Sequence, residues 1–234
     1  MTGPLALVGS GEYLPVMAAV EAGLLEGRAP KFVQLPTAAA PEGEKSLQRW
    51  VNLGLAQAER LGVEGVPVVV KDRDDADDPA LAALVEGAGL VYLSGGNPPY
   101  VASVLRGTRV WAAIREAWEA GAALAGCSAG AMALTSWVPD IRHPLRDPVP
   151  GLGAVDSLRV IPHFDRFVGR MPELVGSYLA KKSPEVTLVG VDEDTALIRD
   201  GGVWTVRGRQ AVWVLTTEGR TDYRDGETVP ITAA

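Results

Sequence analysis

Cysteine, histidine and aromatic residues are scarce in this chain: 234 residues include one cysteine and two histidines, and aromatic side chains make up 6%. The lone Cys127 excludes an internal disulfide and any Cys-based structural zinc site. His143 and His163 are too few for a His-rich metal site, so no metal is expected, and nothing in the pattern asks for an organic cofactor. No apolar run approaches the ~18–20 residues that span a bilayer. The opening stretch MTGPLALVGSGEYLP has neither a cationic leader nor a long apolar segment, so no secretory signal is expected. A formal net charge of −7 and the lack of a basic arm argue against nucleic acid or an anionic membrane as partner. Low-complexity tracts and solenoid-length repeats are missing as well. These absences describe a globular protein of bacterial type, expected in the cytoplasm.

What is abundant is small and apolar: 47% of the residues are hydrophobic, and 27 are glycine. The length suits a single α/β domain over 1–234 with ample core. Strands are expected at 4–9, 31–36, 66–70, 90–95, 122–127, 158–163 and 187–193. Most are continuous apolar runs, the mark of strands covered on both faces by helices. Between them lie helical patterns. Leu47, Trp50, Val51, Leu55, Ala58 and Leu61 fall on one stripe, and Asp78-Pro79 reads as an N-cap followed by a first-turn proline. Strands separated by helices imply right-handed crossovers and a largely parallel sheet. After about residue 195 the texture changes to short β runs broken by Asp200-Gly201-Gly202 and Arg207-Gly208, read as antiparallel strands at the sheet edge. The Pro- and Gly-rich stretch 136–157 reads as a long loop of the kind that often carries function.

Two potential nucleophiles stand side by side in AALAGCSAGAMAL. Gly126-Cys127-Ser128-Ala129-Gly130 has the G-x-S-x-G pattern of a strand–turn–helix elbow. Such a turn forces its central residue into a strained backbone, and the positions two before and two after must be small. Centring on Ser128 puts glycines at both; centring on Cys127 would put Ala125 and Ala129 there. Ser128 is therefore the expected nucleophile, with the Ala129 N–H free for an oxyanion, and Cys127 is read as a small buried hydrophobe. A serine needs a base. His163 ends the run LRVIPH, where a strand terminus could meet Ser128; His143, in the long loop, is the rival. The imidazole needs an orienting acid, and VGVDEDTAL offers Asp192, Glu193 and Asp194, with Asp140, Asp147 and Asp156 as alternatives. Gly95-Gly96-Asn97 closes another strand. Its glycines allow close backbone approach, which suits a second oxyanion donor, and Asn97 is a candidate for holding substrate. The glycines of VGSGEY are a poor dinucleotide fingerprint, because Leu14 occupies the third glycine position, and no NAD is expected.

Taken together, LVGSGE, LSGGN, GCSAGAMAL, IPHF and GVDEDTAL resemble, in order, the cyanophycinase/dipeptidase E family of serine peptidases, relatives in fold of class I glutamine amidotransferases. The resemblance implies a three-layer α/β fold and a Ser-His-Glu triad of Ser128, His163 and Glu193. It also implies an oxyanion hole from the N–H groups of Gly96 and Ala129, a peptide substrate and a homodimer. Amidotransferases carry cysteine at the elbow centre, where this chain has serine. Cyanophycinases place an Asp-Gln pair before the His-Phe; Ile161-Pro162 stands here, which is closer to dipeptidase E, an enzyme that cleaves after an N-terminal aspartate. Arg166 or Arg170 is then expected to pair with that carboxylate. The resemblance leaves open a cyanophycinase-like peptidase acting on Asp–Arg units; a different serine hydrolase such as an esterase, with its acid from the long loop, and a non-enzymatic binding module are the other readings.

Overall fold

The computed structural model describes residues 1–139, 147–168 and 186–231. Alternation along buried strands builds its layers. Five parallel strands, β1 (Leu5–Val8), β2 (Lys31–Leu35), β3 (Glu64–Pro67), β4 (Leu90–Leu93) and β5 (Ala123–Cys127), lie in the order β1-β5-β4-β2-β3. Because successive side chains point to opposite faces, each strand feeds two cores. Ala6, Val8, Phe32, Leu90, Tyr92, Ala125 and Cys127 pack with Tyr13, Met17, Leu24 and Ala58. Leu5, Leu7, Val33, Leu35, Val91, Leu93 and Leu124 pack on the other side with Val101, Leu105, Ile114 and Met132.

Helices α1 (Ala18–Leu25) and α2 (Glu44–Leu61) supply the first cover. The second comes from α3 (Arg73–Ala76), α4 (Pro79–Ala83), α5 (Pro98–Leu105), α6 (Arg109–Glu119) and α7 (Ala129–Ala133). The stripe expected on α2 is buried at Leu47, Val51 and Ala58 but not at Leu55, which is exposed, and the helix ends at Gly62 in the left-handed conformation. Asp78 caps α4 by accepting the Ala80 N–H, with Pro79 in the first turn. No described helix is long and apolar enough to cross a membrane.

The strand expected at 66–70 is instead β3, at the sheet edge. Pro67 has no N–H, and after the Val68 N–H bonds the Gln34 carbonyl the chain turns Val68 and Val70 into the core. A short pair, β6 (Trp137–Val138) and β7 (Val149–Pro150), lies within the stretch expected to be loop.

The larger correction concerns the remaining strands, β8 (Leu158–Ile161), β9 (Thr187–Val191), β10 (Thr195–Asp200), β11 (Val203–Gly208), β12 (Ala211–Leu215), β13 (Arg220–Arg224) and β14 (Thr228–Val229). β8 and β9 pair in parallel, but in a second sheet of order β13-β12-β9-β8. The C-terminal strands do not all sit on one edge. β10 pairs antiparallel with β1, extended by β11 and β14, whereas β12 and β13 join the second sheet. The crossing is made at Gly208 (φ 127°), where a Cβ would meet the Asp194 carbonyl oxygen at 2.4 Å. Val160, Val189, Val191 and Val212 then pack into the same core as α5–α7.

Candidate active site

Ser128 leaves the end of β5 with φ 49° and ψ −107°, and its N–H donates to the Val8 carbonyl at 2.9 Å. A non-glycine residue at positive φ costs on the order of 1–3 kcal/mol and persists only where its surroundings impose it. Here two glycines let the backbone close. A Cβ on Gly126 would lie 2.6 Å from the Gly130 carbonyl, and one on Gly130 would lie 2.3 Å from the Leu93 carbonyl. Cys127 is wholly buried and its Sγ donates to Glu12 Oε2 at 2.7 Å, so it is more than the expected small hydrophobe. Burial, reinforced by the neighbouring Glu12 charge, pushes its thiol well above the usual range, which leaves it a poor nucleophile.

His163 also has positive φ, 50°, two residues beyond β8. Its Nε2 lies 3.0 Å from Ser128 Oγ and its Nδ1 lies 2.9 Å from Glu193 Oε1. Glu193 follows β9 by the same two residues, and the parallel pairing of β8 with β9 delivers both side chains to one end of the second sheet. Glu193 is held on every polar group. Its N–H donates to Asp165 Oδ1 (3.0 Å), its carbonyl accepts from Gln210 Nε2 (2.9 Å), and its Oε2 accepts from Arg166 Nε (3.1 Å).

The other acids separate cleanly. Asp192 turns into the second sheet, accepting from the Ala211 N–H and the Trp213 indole, and burial raises its pKa. Asp194 (φ 55°) faces Arg209 at 3.7 Å. Asp147 and Asp156 are exposed. His143, Asp140 and Arg170 lie outside the described residues.

At the end of β4, Gly96 has φ 140° and a Cβ there would sit 2.3 Å from the Ala38 carbonyl, so only glycine fits. Neither the Gly96 nor the Ala129 N–H has a hydrogen-bond partner among the described residues. The Asn97 side-chain oxygen caps α5 through the Tyr100 N–H at 3.0 Å, so only its NH2 faces other work. Arg166 is largely exposed, with its guanidinium against Glu193 and Asp165. Asp165, Gln210 and Glu12 were not anticipated. Each acts on backbone or side-chain groups distant in sequence, and nothing in their local pattern signals it.

Residues 5–206 match the model of peptidase family S51. Among curated proteins, the cyanophycinase of Trichormus variabilis is 28% identical over 169 residues, covering 67% of this chain and 55% of its own length. That of Synechococcus elongatus is 29% identical over 167 residues, covering 66% and 50%. The chain thus spans about half the length of the curated relatives it matches. Among solved structures, a peptidase from an acI-B1 actinobacterium is 42% identical with a TM-score of 0.89, covering 98% of this chain and 97% of that one. A candidate peptidase E protein from Listeria monocytogenes EGD-e shares the fold, with a TM-score of 0.63 at 18% identity over 90% of this chain and 100% of that one.

Proposed function

Because the chain belongs to peptidase family S51, we propose that it hydrolyses short peptides through Ser128 as nucleophile, His163 as base and Glu193 as orienting acid. The observation that carries this reading is the continuous line from Ser128 Oγ to His163 Nε2, 3.0 Å, and from His163 Nδ1 to Glu193 Oε1, 2.9 Å. Both distances are within reach of direct proton transfer or orientation.

As Ser128 Oγ attacks the scissile carbonyl carbon, its proton passes to His163 Nε2. The carbonyl oxygen takes up the electron pair and becomes an oxyanion between the Gly96 and Ala129 N–H groups. The C–N bond then breaks, and the proton goes from His163 to the leaving amine. Water attacks the acyl-enzyme with His163 again as base, releasing the acid and restoring Ser128. Glu193 holds the Nδ1–H tautomer and stabilises the imidazolium, while Arg166 and Asp165 hold Glu193.

The substrate proposed is a short peptide with an N-terminal aspartate, as the IPHF stretch suggests. Arg166 Nη groups, unpartnered among the described residues, are available to its carboxylate. Relatives named cyanophycinase support a second reading, the cleavage at Asp–Arg units that the family resemblance implies. A panel of Asp-X, β-Asp-X, X-Asp and Asp–Arg peptides separates the two. Ser128→Ala is expected to abolish turnover and labelling by a serine-directed phosphonate, while Cys127→Ala, which takes one partner from Glu12 but leaves the nucleophile in place, keeps both at a reduced level. The reverse pattern would reject Ser128 as nucleophile.

A further inference from the structure

We propose that Glu12 is a positioning residue that ties the turn carrying Gly96 to the strand carrying Ser128, and so sets the spacing of the oxyanion donors. This deepens the serine-peptidase reading above and rests on it. Glu12 is 5% exposed. Its Oε1 accepts the Gly95 N–H at 2.8 Å, and its Oε2 accepts the Cys127 Sγ–H at 2.7 Å. Gly95 and Cys127 immediately precede Gly96 and Ser128, so one carboxylate grips both arms of the site from beneath, one residue back from each working group.

The fit is tight on the side of the nucleophile. A Cβ on Gly95 would lie 2.9 Å from Glu12 Oε1 and 3.5 Å from Ser128 Cβ. Glu12 is itself anchored from behind. It sits between Gly11 (φ 87°) and Tyr13 (φ 64°), and the Tyr13 N–H donates to Glu21 Oε1 at 3.2 Å. The Tyr13 ring is wedged edge-on among Phe32, Trp50 and Tyr92. No cation pairs with Glu12 among the described residues, and a carboxyl group buried in this way is costly unless its hydrogen bonds are met. Mere packing of this space would be served by an apolar side chain. An acceptor here does what an apolar group cannot: it fixes the Ser94–Gly95 peptide plane and so anchors the chain one residue before the Gly96 N–H.

The test compares Glu12→Gln, Glu12→Asp and Glu12→Ala for Asp-peptide turnover and for the rate of Ser128 labelling by an aryl phosphonate, whose adduct carries the oxyanion. Loss of a well-placed oxyanion donor costs about 100-fold or more in kcat, and partial misplacement is expected to cost about 30-fold. Glu12→Ala should lose about that factor in kcat and in labelling rate together, with KM changed less than about threefold. Glu12→Asp, one methylene too short to reach both partners, should behave like it. Glu12→Gln keeps an acceptor for the Gly95 N–H and should stay within about fivefold of wild type. Wild-type kcat and labelling in Glu12→Ala would overturn the proposal. Should Glu12→Ala fail to fold, equal kcat in Glu12→Gln and Glu12→Asp would overturn it. Failure of the phosphonate to label wild-type Ser128 is a different result, since it removes the nucleophile assignment and this proposal with it.

Discussion

At the level of single side chains, the proposed acid of the site is the sharpest point. Three consecutive carboxylates, Asp192, Glu193 and Asp194, occupy the end of β9, and the strand delivers only the middle one to His163. Glu193→Gln leaves the shape intact but offers an amide to Nδ1 and favours the wrong tautomer. Turnover should fall by about 10³–10⁴ with KM little changed, as measured by steady-state kinetics, while Asp192→Asn should spare kcat. A second residue-scale prediction concerns Glu21, which is fully buried, accepts from the Tyr13 N–H and the Gln57 amide, and is raised by burial from 4.5 to about 7. Its folded pKa lies above the unfolded one. The stability that Glu21 contributes is therefore greatest below about pH 4.5, declines as the unfolded chain ionises first, and reaches its low plateau above about pH 7. The shift corresponds to about 3 kcal/mol. Urea unfolding of wild type and Glu21→Gln at pH 5 and pH 8 should show the wild type losing about 2–3 kcal/mol relative to the variant over that interval. A difference that stays constant with pH would contradict the assignment.

At the level of elements, the turn from β5 into α7 is defined by what cannot be added to it. Gly126 and Gly130 were legible in the sequence because the need for small residues flanking a strained nucleophile is a local steric rule. Gly130→Ala places a methyl 2.3 Å from the Leu93 carbonyl, a backbone atom that cannot swing away. Such overpacking is expected to lower stability by about 3 kcal/mol and to displace Ser128, read as a lowered Tm together with slow phosphonate labelling. Gly190 plays the same part in β9, where a Cβ would strike the Phe164 ring at 2.3 Å. That contact joins two segments far apart in sequence, and no spacing rule could have named it.

At the level of the whole molecule, the site is assembled across two sheets. Ser128 and Gly96 come from the first; His163 and Glu193 come from the second. The C-terminal strands hold the sheets together, since β10 pairs with β1 while β12 pairs with β9, and Gln210 between β11 and β12 bonds the Glu193 carbonyl. Truncation after Asp194 would strip a neighbour from β1 and from β9 at once and expose both edges. The truncated chain is expected to show no cooperative unfolding transition by calorimetry, although every proposed catalytic residue remains in it. Residues close in sequence carried much of the reading: strand hydrophobicity, helix stripes and caps, the paired glycines around Ser128 and the doubled glycine at 95–96 all obey rules spanning a few residues. Sheet membership does not, because a β run of given pattern fits either sheet equally well and its partner is chosen by global packing. So the chain's own order of residues already decided which serine stands at the strained bend and which layers flank it. Residue spacing left three adjacent acids open and only the family resemblance singled out Glu193; the folded arrangement decided that this one meets the imidazole and alone revealed a buried glutamate under the bend, because both depend on contacts between segments roughly 30 to more than 100 residues apart.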